Sequence, residues 1–366
     1  MNAKFDAIDV AIARVAAGHP IVVVDDEDRE NEGDLIMAAA CATPEYVALM
    51  VRHTSGILCT PLRHEDARRL NLWPMVADNR APMSTAFTVS VDYRSGLTTG
   101  ISAKERCATI RALADPSSTA EDFVRPGHIF PLIAKDGGVL NRTGHTEAAV
   151  DLARLAGLPP VGLLAELVND DGSVQKGAQV AAFAEKHGFP IISIANLIAY
   201  RQARESLVRR IAEETIETSI GRALAVGYET TLDRTRHMAV IFGQIGDGRN
   251  ILTRLQREDV VADIFDHRRS PIAAALQKIA EEGKGVVVYL RQGSDAVVGH
   301  GRGDEAPRSS EVQRVQQWHE IGLGAQILRD LGITSIRILG TRQREYVGLS
   351  GFGIEIVKTE ILERQD

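Results

Sequence analysis

Ten residues, Asp25 to Asp34, carry seven carboxylates and one arginine between two apolar runs, "IVVV" (21–24) and "LIMAAA" (35–40). The runs are short, rich in β-branched or small side chains, and bounded by polar residues, which predicts two buried strands with the acids on the loop between them. Carboxylates this crowded repel one another and hold each other's protons unless a cation or hydrogen-bond donors offset the charge. The segment therefore fixes a sheet interior and, at its border, a place that calls for positive charge.

At 366 residues the chain exceeds what one hydrophobic core usually serves, so two domains are expected. Hydrophobic residues make up 44% and charged residues 25%, an ordinary globular balance with no apolar span long enough for a membrane. The opening "MNAKFDAIDVAIARVAAGHP" is too charged for a signal-peptide core, and its Phe5, Ile8, Ile12, Val15 spacing is helical. A cytoplasmic protein without membrane association is expected. The net charge is −7; residues 1–208 hold 20 basic and 26 acidic side chains and residues 209–366 hold 22 and 23, so neither half offers a basic surface for nucleic acid. Three widely spaced cysteines, Cys41, Cys59 and Cys107, indicate neither a disulfide framework nor a thiolate zinc site.

Along the first half, candidate strands (21–25, 35–40, 57–60, 88–91, 128–131, 162–167, 190–193) interleave with candidate helices (5–17, 44–53, 64–70, 103–114, 146–155, 177–187). That alternation predicts a layered α/β domain. After Leu197 the chain reads "IAYRQARESLVRRIAEETIETSIG", polar and helix-prone, which places the boundary near residue 205 and the domains at 1–204 and 205–366. The second half has its own strands (224–228, 237–243, 285–290, 336–339, 354–357) and helices (272–282, 318–331), an α+β set. Residues 291–316 are rich in glycine and charge and read as a long loop.

Three further segments carry chemistry. "RTGHT" (142–146) sets Arg142, Thr143, Gly144, His145 and Thr146 at a helix start, where free N–H groups, the helix dipole and a guanidinium make an anion site. "RPGHIFPL" places His128 between a Pro-Gly turn and an apolar run, and Glu166 closes "VGLLAEL" at a strand end, where a carboxylate is either paired or poised as a base. Acids and a neutral imidazole suit a hard divalent ion such as Mg2+ or Mn2+. A phosphate cradle beside that ion, with a histidine and a glutamate as acid and base, describes a metal enzyme acting on a sugar phosphate.

These residues match a known family. "DDEDRENEGDLI", "SGILC", "TTGISAKER", "RPGHIFPL" and "RTGHTEAAVDL", with Glu166 downstream, resemble 3,4-dihydroxy-2-butanone 4-phosphate synthase of riboflavin biosynthesis, in order and spacing over residues 4–200. The resemblance implies conversion of ribulose 5-phosphate to the four-carbon phosphate and formate with Mg2+, in a homodimer with active sites at its interface. It assigns Glu30 and His145 as metal ligands, and Arg29, Glu30, Asp34 and the run Arg142 to Thr146 as substrate contacts. His128 and Glu166 are the essential acid–base pair, Glu166 also touching substrate; Asp26, Glu27 and Glu32 contribute field and hydrogen bonds.

In the second half, "AALQKIAEEGKGVVVYLRQ" and "WHEIGLGAQILRDLGITSIRILG" resemble GTP cyclohydrolase II over residues 209–360. Where that family carries three zinc cysteines, this chain has Leu255, Asp266 and Arg268, and no cysteine follows Cys107. The family's catalytic loop is replaced by "SDAVVGHG" and its GTP-binding segment by "GTRQRE". The expectation is a catalytically silent second domain without zinc, serving assembly or regulation. A bifunctional synthase and cyclohydrolase is the alternative, and a non-catalytic scaffold is the reading from another class.

Overall fold

A computed structural model describes residues 5–26, 29–231, 234–265, 271–291, 322–341 and 353–362. The chain divides into two compact units, Met1–Tyr200 and Arg201–Asp366. The division falls inside one helix, a few residues before the boundary the sequence suggests.

The first unit is built on a seven-stranded mixed sheet. Its strands are β1 (Ile21–Val24), β2 (Gly33–Ala38), β3 (Cys59–Leu62), β4 (Val91–Tyr93), β5 (Phe123–Ile133), β6 (Gly162–Glu166) and β7 (Ile191–Ser193), in the order β4-β5-β3-β6-β2-β1-β7. Pairing is antiparallel except for β3 with β5 and β1 with β7. Its helices are α1 (Ile8–Ala16), α2 (Pro44–His53), α3 (His64–Arg69), α4 (Ala103–Ala114), α5 (His145–Leu155), α6 (Ala178–His187) and α7 (Ile194–Arg204).

Helices cover both faces. On one, Leu35, Met37, Leu163 and Ala165 pack into a core with Met50 of α2, Ile110 of α4 and Val180 of α6. On the other lies α5, so close to β6 that a side chain at Gly162 would meet Ala149 at 2.6 Å. Burial on both sides is why the central strands read as unbroken apolar runs rather than alternating ones. The layered α/β reading of the first domain and the two-domain mixed-sheet class are what the structure shows.

The second unit has a seven-stranded sheet of its own: β8 (Val208–Thr218), β9 (Gly221–Thr230), β10 (Arg236–Phe242), β11 (Ile251–Arg257), β12 (Gly285–Leu290), β13 (Ser335–Gly340) and β14 (Glu355–Ile361), ordered β14-β13-β11-β12-β10-β9-β8. One half is antiparallel and the other, from β12 through β11 and β13 to β14, is parallel. Helix α8 (Val260–Phe265) follows β11, and α9 (Ile272–Glu282) seats Ala275 and Ile279 in the core. Residues 322–330 form a further helix.

Two expectations are corrected here. The stretch after Leu197 is not helical throughout: it leaves α7 at Arg204 and becomes β8, an edge strand exposed along most of its length, so no apolar alternation marks it. Strand β11 carries Arg254 and Arg257 and was not among the expected strands, yet it lies between β12 and β13. The long-loop reading of residues 291–316 falls, beyond Arg291, outside the described residues.

Candidate active site

The acidic loop is organised by its own members. Asp25, buried at the end of β1, accepts from the backbone N–H groups of Glu30 (3.0 Å) and Glu32 (2.9 Å) and from the Arg29 guanidinium (2.9 Å). Arg29 also pairs with the Glu30 carboxylate. Asn31 takes a left-handed conformation (φ 55°), which lets so short a loop turn back into β2. Arg29 is thus the internal cation of the loop, and its guanidinium is buried against two carboxylates.

Three groups converge beside it. His145 opens α5, and its Nε2 lies 3.2 Å from the Val23 carbonyl; a carbonyl can only accept, so Nε2 holds the proton and Nδ1 keeps its lone pair. Nδ1 faces Glu30 Oε2 at 3.9 Å and Asp34 Oδ1 at 4.0 Å. Burial lowers the His145 pKa, keeping the ring neutral, as a metal ligand must be. Asp34 is buried, and its Oδ1 has no hydrogen-bond partner among the described residues. Loss of hydration, then the charges of Glu30, Asp25 and Glu32, push its pKa well above the carboxylate range.

The ligand atoms of Asp25, Glu30 and His145 lie within 4.8 Å of one another. Both oxygens of Asp25 are already engaged by the loop, whereas Asp34 Oδ1 is not. On donor chemistry, the set that fits a hard divalent ion is Glu30 and His145 with Asp34 as the adjacent oxygen, and Asp25 shapes the loop.

The sheet register brings the remaining acid–base candidates toward this cluster. Glu166 of β6 sits opposite Asp34 of β2. Cys59 of β3 pairs with both Leu164 and Phe130. His128, two residues before Phe130, therefore lies at the same end and on the same face as Glu166, two residues after Leu164. Two strand spacings, about 10 Å, separate their backbones. No hydrogen bond joins His128 to the acidic cluster among the described residues. Glu166 stands at the rim with its carboxyl group partly shielded from solvent, and its pKa is pushed up to about 7 by that lost hydration and then by Asp34, Glu32 and Glu30. Cys59 is raised in the same way by burial and the two nearby carboxylates.

His128 has a partner that sequence reasoning missed. Asp92 of β4, buried, accepts from the His128 backbone N–H (2.9 Å) and lies 2.7 Å from Nδ1. This puts the proton on Nδ1 and turns Nε2 outward. Gly100, from the "TTG" segment, closes on the pair so tightly that a β-carbon would meet Asp92 Oδ2 at 2.1 Å. Lys176 was missed as well; its Nζ donates to the Glu30 carbonyl at 2.9 Å.

The anion cradle differs from expectation in one respect. Helix α5 begins at His145 with Gly144 as its cap, and Arg142 is not free: it donates to the buried Glu147 at 2.7 Å and to the Met83 carbonyl at 3.1 Å. A β-carbon at Gly144 would meet Arg142 Nη1 at 2.4 Å and Glu147 Oε2 at 2.7 Å, so a side chain there displaces this ion pair. Thr143 and Thr146 lie buried on either side of it, with the first-turn N–H groups of α5 between.

Comparison with known proteins identifies the family of each half of the chain. The family model for 3,4-dihydroxy-2-butanone 4-phosphate synthase matches residues 9–200, and that for GTP cyclohydrolase II matches residues 209–360. The riboflavin biosynthesis protein RibBA of Nocardia farcinica (strain IFM 10152) is 47% identical, covering 97% of this chain and 90% of its own. That of Rhodococcus erythropolis (strain PR4 / NBRC 100887) is also 47% identical, covering 96% and 88%. Among solved structures, RibBX, a two-domain 3,4-dihydroxy-2-butanone 4-phosphate synthase from A. baumannii, aligns over 97% of this chain and 100% of its own with a TM-score of 0.80 and 36% identity. A 3,4-dihydroxy-2-butanone 4-phosphate synthase in complex with two magnesium ions aligns over 55% of this chain and 98% of its own, with a TM-score of 0.53 and 43% identity. The match over residues 209–360 and the name RibBA do not support the expectation that the second domain is degenerate. The chain belongs to the 3,4-dihydroxy-2-butanone 4-phosphate synthase family, followed by a GTP cyclohydrolase II domain, and is a lyase of riboflavin biosynthesis.

Proposed function

We propose that the first domain converts ribulose 5-phosphate to 3,4-dihydroxy-2-butanone 4-phosphate and formate, with Mg2+ or Mn2+ held by Glu30 and His145. The observation that carries this is the convergence of Glu30, the free Nδ1 of His145 and the unpartnered Asp34 Oδ1 at the start of α5. A bound divalent ion would polarise a substrate carbonyl and offset the crowded acids. Glu30 faces the substrate from the loop, Arg29, expected to touch substrate, lies behind it as the buried charge partner of its carboxylate, and Asp34 accepts from substrate hydroxyls. Thr143, Gly144 and Thr146, with the N–H groups of α5, receive the phosphate, while Arg142, held by Glu147, supplies positive charge behind it. Glu166 takes and returns protons at the carbon skeleton near neutral pH, and His128, held by Asp92, serves the leaving hydroxyl through Nε2. Atoms balance without an oxidant, because the water lost at C1 is regained when C4 leaves as formate. Replacing His145 with alanine should abolish both formate release and Mn2+ binding; wild-type rates in that variant would overturn the assignment. As in the family, we place the active sites at a homodimer interface.

For the second domain two readings compete. The family match and the name RibBA of relatives that align across both domains favour a bifunctional enzyme. The silent reading is favoured by the chain's own residues: Leu255 stands at the first cysteine position and packs against Gly324, and no cysteine follows Cys107. Asp266 and Arg268, at the other two positions, lie outside the described residues. Three thiolates are missing, so the residues present do not fit the family's zinc. Incubation with GTP decides: release of formate and pyrophosphate establishes the bifunctional enzyme, and unchanged GTP the silent domain.

A further inference from the structure

Beyond β6 the chain makes a tight excursion that ends on the acidic loop. Asn169 and Ser173 close it (2.7 Å), Asp171 accepts from the Ser173 N–H (2.9 Å), and Gln175 N–H returns to the Leu167 carbonyl (2.9 Å). The excursion is anchored at its root by the Leu167 N–H on the Gly33 carbonyl (2.9 Å). Its far end carries Lys176, whose Nζ donates to the Glu30 carbonyl at 2.9 Å and lies 3.6 Å from Glu32 Oε1. One short segment thus begins at Glu166 and ends as a clamp on the backbone of Glu30.

We infer that Lys176 is a positioning residue for the reaction, latching the Glu30 backbone from outside the acidic loop so that the Glu30 carboxylate is held toward His145 and Asp34. Inside the loop, Asp25 and Arg29 hold the Glu30 N–H and carboxylate; among the described residues Lys176 supplies the only hydrogen bond on its carbonyl. With only its N–H held, Glu30 can still turn about φ, which swings its β-carbon and its carbonyl together; a hold on the carbonyl removes that freedom. Groups that orient a metal ligand in this way typically alter metal affinity by tenfold or more. The inference rests on the proposed metal site.

Lysine also carries charge, and this gives the test its sign. Charge alone predicts that removing Lys176 tightens a divalent cation by lifting repulsion. Positioning predicts the opposite. Mn2+ binding to the full-length protein, followed by electron paramagnetic resonance without substrate, separates the two. For Lys176→Met we expect the Kd for Mn2+ to rise on the order of tenfold, the KM for ribulose 5-phosphate to rise with kcat reduced less, and Lys176→Arg to restore most of the affinity. The side chain is half exposed, so folding should survive, and an unchanged thermal transition checks it. Mn2+ bound by Lys176→Met as tightly as by wild type, or more tightly, overturns the latch. Failure of the wild-type protein to bind Mn2+ overturns the metal site itself.

Discussion

At the scale of single residues, the site sets pKa values apart by environment. Glu166 is raised to about 7, so its basic form appears as pH rises through that value. If it acts as the base, kcat/KM should climb through pH 7 and flatten above it, and Glu166→Gln should remove the reaction, a loss of at least a hundredfold. A profile flat from pH 5 to 8 would exclude that role. Asp34 illustrates the conflict between stability and function. A carboxyl group whose pKa is raised on folding stabilises the fold below its unfolded pKa, and the contribution is lost as pH rises through the folded value. Metal-free Asp34→Asn should therefore melt about 2–4 °C higher than wild type at neutral pH, while turnover disappears. A lower melting temperature would show that Asp34 has a partner in solution that stabilises its charge. The candidate site was legible where the signal was local: Glu30, His145 and Glu166 stand in recognisable segments. Asp92 was not, because it lies 36 positions from His128 and only the pairing of β4 with β5 brings them together.

At the scale of elements, the site depends on how closely α5 rests on β6 and β2. Gly162 and Ala149 allow that approach, and α5 then delivers His145 to the Val23 carbonyl. Gly162→Val should lift the helix, costing about 1–3 kcal/mol and weakening Mn2+ binding even though no ligand is altered. Wild-type affinity and stability in that variant would mean the helix is placed by other contacts. Elements buried on both faces announced themselves as apolar runs, as in β1 and β2. The exposed strand β8 did not, since its pairing with β9 leaves no buried face to imprint a period. Strand β11 was hidden by its arginines: Arg254 is half-buried and donates to the Leu339 carbonyl at 2.8 Å, and Arg257 is exposed at the strand end.

At the scale of the whole molecule, two sheets of similar size carry very different chemical content. The first unit gathers a neutral imidazole, a buried carboxyl group with one oxygen unpartnered among the described residues, and a glutamate raised to about 7 around one helix start. In the second, Tyr289 and Gln256 both donate to Asp263 near the carboxyl end of the parallel strands. None of the helices among the described residues is long and apolar enough to cross a membrane. The proposed activity of the first unit is that of a divalent-metal lyase acting on ribulose 5-phosphate. The most direct measurement is formate release from ribulose 5-phosphate by the purified full-length chain, with Mg2+ and then with excess EDTA. Formate in step with substrate loss, abolished by EDTA and restored by Mg2+, is the predicted result. No formate with Mg2+ present, or formate indifferent to EDTA, would contradict it.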